Sequence, residues 1–135
     1  MPEQAARRSR SGARILVIEP DGALRHVLGR ALEDADYIVI STHDVGLARE
    51  LLDAQIRIDL VVTNLPLDLG GHVSYLDRLE ADFPTLPILH LTGPVFQGRT
   101  PFSEAAFSIP RFLAAVRHCL ATGRCDPPPD QRRIA

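Results

Sequence analysis

The chain has 135 residues, 45% of them apolar and 24% charged, the composition of one ordinary globular domain with short tails. A formal net charge of −2 gives no whole-molecule argument for a nucleic acid or an anionic membrane as main partner, and no apolar run approaches the roughly 20 residues that cross a bilayer. Two cysteines, Cys119 and Cys125, have neither metal-ligand spacing nor the numbers for a disulfide framework, and are read as reduced thiols.

Residues 1–12 carry Arg7, Arg8 and Arg10 without periodicity and read as a flexible basic arm. The apolar stretch behind them, Ile15 to Ile18, is cut off by Glu19-Pro20-Asp21. That is too short for the core of a signal peptide, so a cytoplasmic protein is expected. The same stretch, from Arg14, predicts a first strand. Asp21 then caps a helix to about residue 35, its side chain accepting an orphan backbone N–H. Leu24, Val27, Leu28, Ala31 and Leu32 form the helix stripe at i, i+3, i+4, i+7 and i+8.

A second strand is predicted over 37–40 and a second helix over 45–54, with Leu47, Ala48 and Leu51 available for burial. The third strand, 60–63, ends at Asn64. A loop with Pro66, Gly70 and Gly71 leads to a helix carrying Val73, Leu76 and Leu79, and Pro84 and Pro87 bracket the next turn. The fourth strand, 88–91, ends at Thr92. The final helix runs over about 109–121 with Phe112, Val116, Cys119 and Leu120 on its apolar face, and Pro110 suits its first turn. Residues 124–135, with Pro127, Pro128 and Pro129, read as a flexible proline-rich tail. Strands that are continuously apolar and alternate with helices predict a parallel sheet covered on both faces. One domain over 13–123 is therefore expected.

Arg14-Ile15-Leu16-Val17-Ile18-Glu19-Pro20-Asp21, the strand ending at Asn64, Pro87-Ile88-Leu89-His90-Leu91-Thr92 and Phe107-Ser108-Ile109-Pro110-Arg111-Phe112 together resemble the receiver (CheY-like) domain of two-component response regulators. The resemblance implies a flavodoxin-like doubly wound five-stranded sheet of order 2-1-3-4-5. It also implies a pocket in which paired acids hold Mg²⁺, an aspartate accepts phosphate, a hydroxyl residue contacts it and a lysine neutralises it. Glu19 matches the first acid and Thr92 the hydroxyl. The other positions depart: Pro20 replaces the second acid, Asn64 the phosphoacceptor, and Ala105 and Ala106 the Lys-Pro pair. A carboxamide is not a nucleophile toward phosphorus, and Mg²⁺ prefers an octahedral set of oxygens with carboxylates supplying charge. Without metal or lysine, little neutralises the charge of a transferring phosphoryl group. A degenerate phosphorylation pocket at Glu19, Pro20, Asn64, Thr92 and Ala105 is expected, with no metal, cofactor or catalytic residue.

About a dozen residues separate Thr92 from Phe107, and they include Gly93, Pro94, Gly98 and Pro101. A crossover helix needs about 10–12 residues before the next strand is counted, and proline and glycine disfavour it. The fourth helix of the receiver pattern is therefore expected to be shortened or lost, and the fifth strand, near 101–105, to be short. Val95, Phe96 and Phe102 in this stretch are expected to contact a partner. His26, His43, His72, His90 and His118 show no ligand spacing. His90, inside an apolar strand, reads as a buried hydrogen-bond partner, and Glu19 as a solvated carboxylate at the mouth of the old pocket.

The function implied is that of a stand-alone pseudo-receiver, not an enzyme, working by phosphorylation-independent protein–protein interaction in bacterial two-component signalling or a phosphorelay. Its partner would be a signalling kinase, another regulator or a second copy of the chain, with no nucleic acid and no membrane. The alternative is a phosphoryl-accepting regulator using a displaced carboxylate, Asp68 or Asp21, with Mg²⁺ at Glu19. A small-ligand site in the crevice at the strand ends ranks behind both, because no Gly-rich phosphate loop follows the first strand.

Overall fold

The computed structural model describes residues 12–64, 70–91 and 108–125. They form β1 (Arg14–Ile18), α1 (Gly22–Asp34), β2 (Ile38–Thr42), α2 (Val45–Asp53), β3 (Leu60–Thr63), α3 (Gly70–Asp82), β4 (Ile88–His90) and α4 (Ile109–Thr122). The four described strands make one parallel sheet in the order β2-β1-β3-β4. This is the doubly wound α/β arrangement expected from the alternation of apolar strands and amphipathic helices. The expected loss of the helix after the fourth strand, and the fifth strand, fall outside the described residues.

Alternation along β1 divides the interior in two. Ile15 and Val17 face one side, with Leu60, Val62 and Leu89, and pack against Leu28 and Leu32 of α1 and Phe112 and Val116 of α4. Leu16 and Ile18 face the other, with Val61, Ala48 and Leu52 of α2 and Leu79 of α3. Leu28 and Val116 are thus buried on one face of the sheet and Val61 on the other, as the helix and strand patterns require.

Helix starts follow their caps. Asp21 Oδ1 accepts from the N–H groups of Ala23 (2.9 Å) and Leu24 (3.1 Å), Asp44 from Gly46, and Ser108 from Arg111 just beyond Pro110. Two stripe assignments shift. Val27 is 39% exposed and Leu47 44% exposed, while Leu52, a turn and a half further along α2, is buried in place of Leu47. β2 starts one residue later than expected and runs on to Thr42: the Tyr37 N–H bonds Leu32 O in the closing turn of α1, and Thr42 O accepts from Glu19 N–H, extending the pairing past Ile40. His90 is half-buried at the end of β4, not a fully buried strand residue.

The cysteines overturn the expectation of reduced thiols: Cys119 and Cys125 are joined by a disulfide, their Cα atoms 4.7 Å apart. The reason is local. α4 ends at Gly123, whose left-handed φ of 75° reverses the chain while its N–H bonds Cys119 O. Thr122 Oγ1 lies 2.8 Å from both His118 O and Arg124 O. The reversal lays Cys125 back on the last turn of the helix.

Candidate functional site

The parallel register places the residues after β1 and β3 side by side. Ile18 stands opposite both Thr42 and Thr63, so the next residues, Glu19 and Asn64, leave the sheet together at its C-terminal edge. Two backbone bonds fix them: Glu19 N–H donates to Thr42 O (3.0 Å) and Asn64 N–H to Ile18 O (3.2 Å).

Glu19 is not the solvated carboxylate expected. It is 2% exposed. Asn64 Nδ2 donates to its Oε1 at 2.7 Å, and the Asp21 N–H donates to its Oε2 at 3.2 Å. Its backbone oxygen accepts from Arg25 Nη1 at 2.9 Å. A buried carboxylate is tolerable only where donors replace water. Here the donors are a neutral side-chain amide, one backbone N–H at the start of α1, and that helix's dipole, whose positive end lies at Asp21. Asp21 in turn spends Oδ1 on the N–H groups of Ala23 and Leu24.

These residues do not fit a divalent cation. Pro20 offers no side-chain ligand, Asp21 Oδ1 is taken up by the start of α1, and both oxygens of Glu19 face N–H donors where a cation would have to stand. Among the described residues, no three His, Cys, Asp or Glu side chains gather as a metal set. The crevice between Glu19 and Asn64 is closed by their own hydrogen bond. On the opposite side of β3 from that crevice, Thr63 Oγ1 is buried without a hydrogen-bond partner.

Of the residues singled out in the sequence, the structure brings Glu19 and Asn64 into direct contact and places Pro20 exposed beside them. Thr92, Ala105, Ala106, Asp68, Val95, Phe96 and Phe102 lie outside the described residues. Arg25 went unnoticed in the sequence because a helical arginine ordinarily faces solvent; its place one turn after the Asp21 cap is the signal that aims it back at Glu19 O. Shallow cavities among the described residues include two, the first touching the site through Arg25. One of about 340 Å³ runs beside the outer strand β2, lined by Arg25, Gly29, Arg30, Val39 and Ser41 among others. The other, of about 400 Å³, lies at the opposite end of the strands, around Ile58, Phe83 and Pro87.

No protein-family profile and no curated protein matches the chain. Solved structures do. The chain is similar to the signal receiver domain of an HD domain-containing protein from Pseudomonas fluorescens Pf-5, with 19% identity over 83% of this chain and 89% of that one and a TM-score of 0.64. It is similar to a LuxR family DNA-binding response regulator from Silicibacter pomeroyi, with 18% identity, 83% and 93% covered and a TM-score of 0.63. An orphan response regulator of H. pylori matches at 18% identity over 78% of this chain and 97% of that chain, with a TM-score of 0.57. At these identities the likeness shows the fold: a CheY-like, flavodoxin-type parallel sheet of the kind that receiver domains have.

Proposed function

We propose that this chain is a pseudo-receiver that works by binding another protein, without phosphorylation, in bacterial signal transduction. The observation that carries the reading is the bond from Asn64 Nδ2 to buried Glu19 Oε1. On the receiver-like fold this is the position where the resemblance calls for a nucleophilic carboxylate facing a metal. An amide donor there removes the nucleophile and occupies the one remaining acid in a single step. Pro20 and Ala105 subtract the second acid and the cation that phosphoryl transfer needs. What is left is a rigid scaffold whose surfaces are available for contact.

The partner fitting this reading is a signalling kinase or another regulator, met in the cytoplasm, with a second copy of the chain as a further option. None of the described helices is long and apolar enough to cross a membrane. Val95, Phe96 and Phe102 remain the contact residues of choice, because an aromatic anchor in such a patch carries about 2 kcal/mol or more of binding energy.

The test is incubation of the full chain with acetyl phosphate and Mg²⁺, read by intact mass. No phosphoryl adduct is expected. A stable adduct that disappears in Asp68→Ala or Asp21→Ala establishes instead a regulator with a displaced acceptor. Loss of partner binding in a folded Phe96→Ala variant locates the contact; unchanged affinity removes that loop from the proposal.

A further inference from the structure

We propose that Cys125 is a site of reversible thiol–disulfide exchange with small thiols, and that buried Cys119 is its resolving partner.

The two sulfurs sit in unlike surroundings. Cys119 is 1% exposed within the core between the sheet, α1 and α4, with Tyr37 and Val116. Cys125 is half-buried beyond the end of α4 and packs against that core from outside. An incoming thiolate therefore reaches Cys125 and not Cys119. The bridge spans a sequence separation of six. Because the stabilisation a disulfide gives grows with the loop it closes, a loop this short adds less than a long-range bridge would to a fold that already has two cores. What it does constrain is local. The Gly123 reversal and the three close contacts of Thr122 Oγ1, to His118 O, Arg124 O and Arg124 N, hold the segment after α4 against the helix. All of these lie at the exposed end of the chain's last described element, and the disulfide is the single covalent tie among them.

A glutathione thiolate attacks Cys125 Sγ, the Cys119–Cys125 bond breaks, and Cys119 leaves as a thiolate that takes up the proton given up by glutathione. A second glutathione thiolate attacks the glutathione sulfur of the mixed disulfide. Oxidised glutathione departs, and Cys125 is left as the free thiol. Two glutathione thiols are oxidised and one protein disulfide is reduced. In the reverse direction, oxidised glutathione caps Cys125 and Cys119 resolves the cap.

The experiment equilibrates the full chain in buffers of varied reduced-to-oxidised glutathione ratio, followed by acid quench, alkylation and intact mass. Wild type is expected to pass from a bridged species with no alkyl adduct to a dithiol with two. Trypsin cleavage after Arg124 should leave the terminal peptide attached only in the bridged form. Cys119→Ala should accumulate glutathione on Cys125, because nothing resolves the cap, and Cys125→Ser should keep Cys119 unmodified. Amides of 121–124 should exchange with deuterium at least about tenfold faster after reduction. The proposal is overturned if wild type stays bridged in a large excess of reduced glutathione or never bridges in the oxidised form. Glutathione on Cys119 in the Cys125→Ser variant, or equal exchange in both states, overturns it too. The wild-type readouts stand whether or not Cys119→Ala folds.

Discussion

Asn64 holds Glu19 by a 2.7 Å bond from its amide nitrogen, at the point where β1 and β3 leave the sheet together. The bond serves both residues: the amide gains a charged acceptor, and the buried carboxylate gains the stronger of its two donors. Asn64→Ala leaves Glu19, among the described residues, with the Asp21 N–H as its side-chain donor, and stability should fall by about 1–3 kcal/mol. Asn64→Asp should cost more, since it sets two carboxylates in contact. Like-charge contact raises the folded pKa of an acid, so the stability of that variant is retained at low pH and lost as pH rises through the carboxylate range. Denaturant unfolding at several pH values checks both variants. A fully stable Asn64→Asp at neutral pH would show that the contact is not made. Asn64→Asp alone should still take no phosphate from acetyl phosphate.

Neighbouring positions on α1 separate core from surface. Leu28 is 1% exposed in the core shared with α4, whereas Val27 is 39% exposed. Leu28→Ala should cost on the order of 2–5 kcal/mol, and Val27→Ala should stay within about 0.5 kcal/mol. Equal losses at the two sites would mean that the helix is rotated about its axis.

These two residues also mark how far periodicity reads. The stripe at 24, 27, 28, 31 and 32 gave the correct face of α1 because the 3.6-residue period fixes direction. It does not fix how wide a sector the sheet covers, so Val27 at the margin was included. On α2 the same margin leaves Leu47 exposed while Ala48 and Leu52 are buried. The continuously apolar runs show where the strands lie, and Asp21 is legible in its position before the stripe; the order of the strands in the sheet follows only from the resemblance to receiver domains. Glu19 was misread because a charged residue is by default placed in water. Its burial depends on a partner 45 residues away, as the Asn64 bond shows, although adjacency of the first and third strands would have put the two together. The disulfide is not legible because two cysteines are too few to read as a framework, and the helix end and left-handed glycine that fold six residues back appear only in the structure.

Gln55 ends α2 in the left-handed region at φ 61°, with its N–H bonded to Leu52 O. A residue with a Cβ gives up about 1–2 kcal/mol there, while glycine gives back roughly 0.5–1 kcal/mol through the freedom of its unfolded chain. Gln55→Gly should therefore stabilise the protein by about 0.5–1 kcal/mol net. A shift of the urea midpoint upward with unchanged slope is the expected reading. A downward shift would indicate that the Gln55 side chain makes a contact worth more than the strain.

The chain's two tyrosines, with no tryptophan beside them, give a direct optical check on both cores. Burial pushes the Tyr37 phenol up from its usual pKa, against the opposing charge of Arg117. Burial raises that of Tyr75 as well; Arg49 opposes the rise, and Asp44 and Asp53 reinforce it. Tyr75 also donates its hydroxyl to Val45 O at 3.2 Å, tying α3 to the start of α2. A raised folded pKa means that the fold favours the neutral phenol. The stability so gained is fully present below the unfolded value of about 10 and is lost as pH rises through the folded values. Phenolate absorbance should therefore appear in the native protein only above the pH at which it appears in denaturant, and alkaline unfolding should follow closely behind it. Tyrosines that titrate at about 10 in the native state, as model phenols do, would place both rings in water and contradict the packing on either side of the sheet.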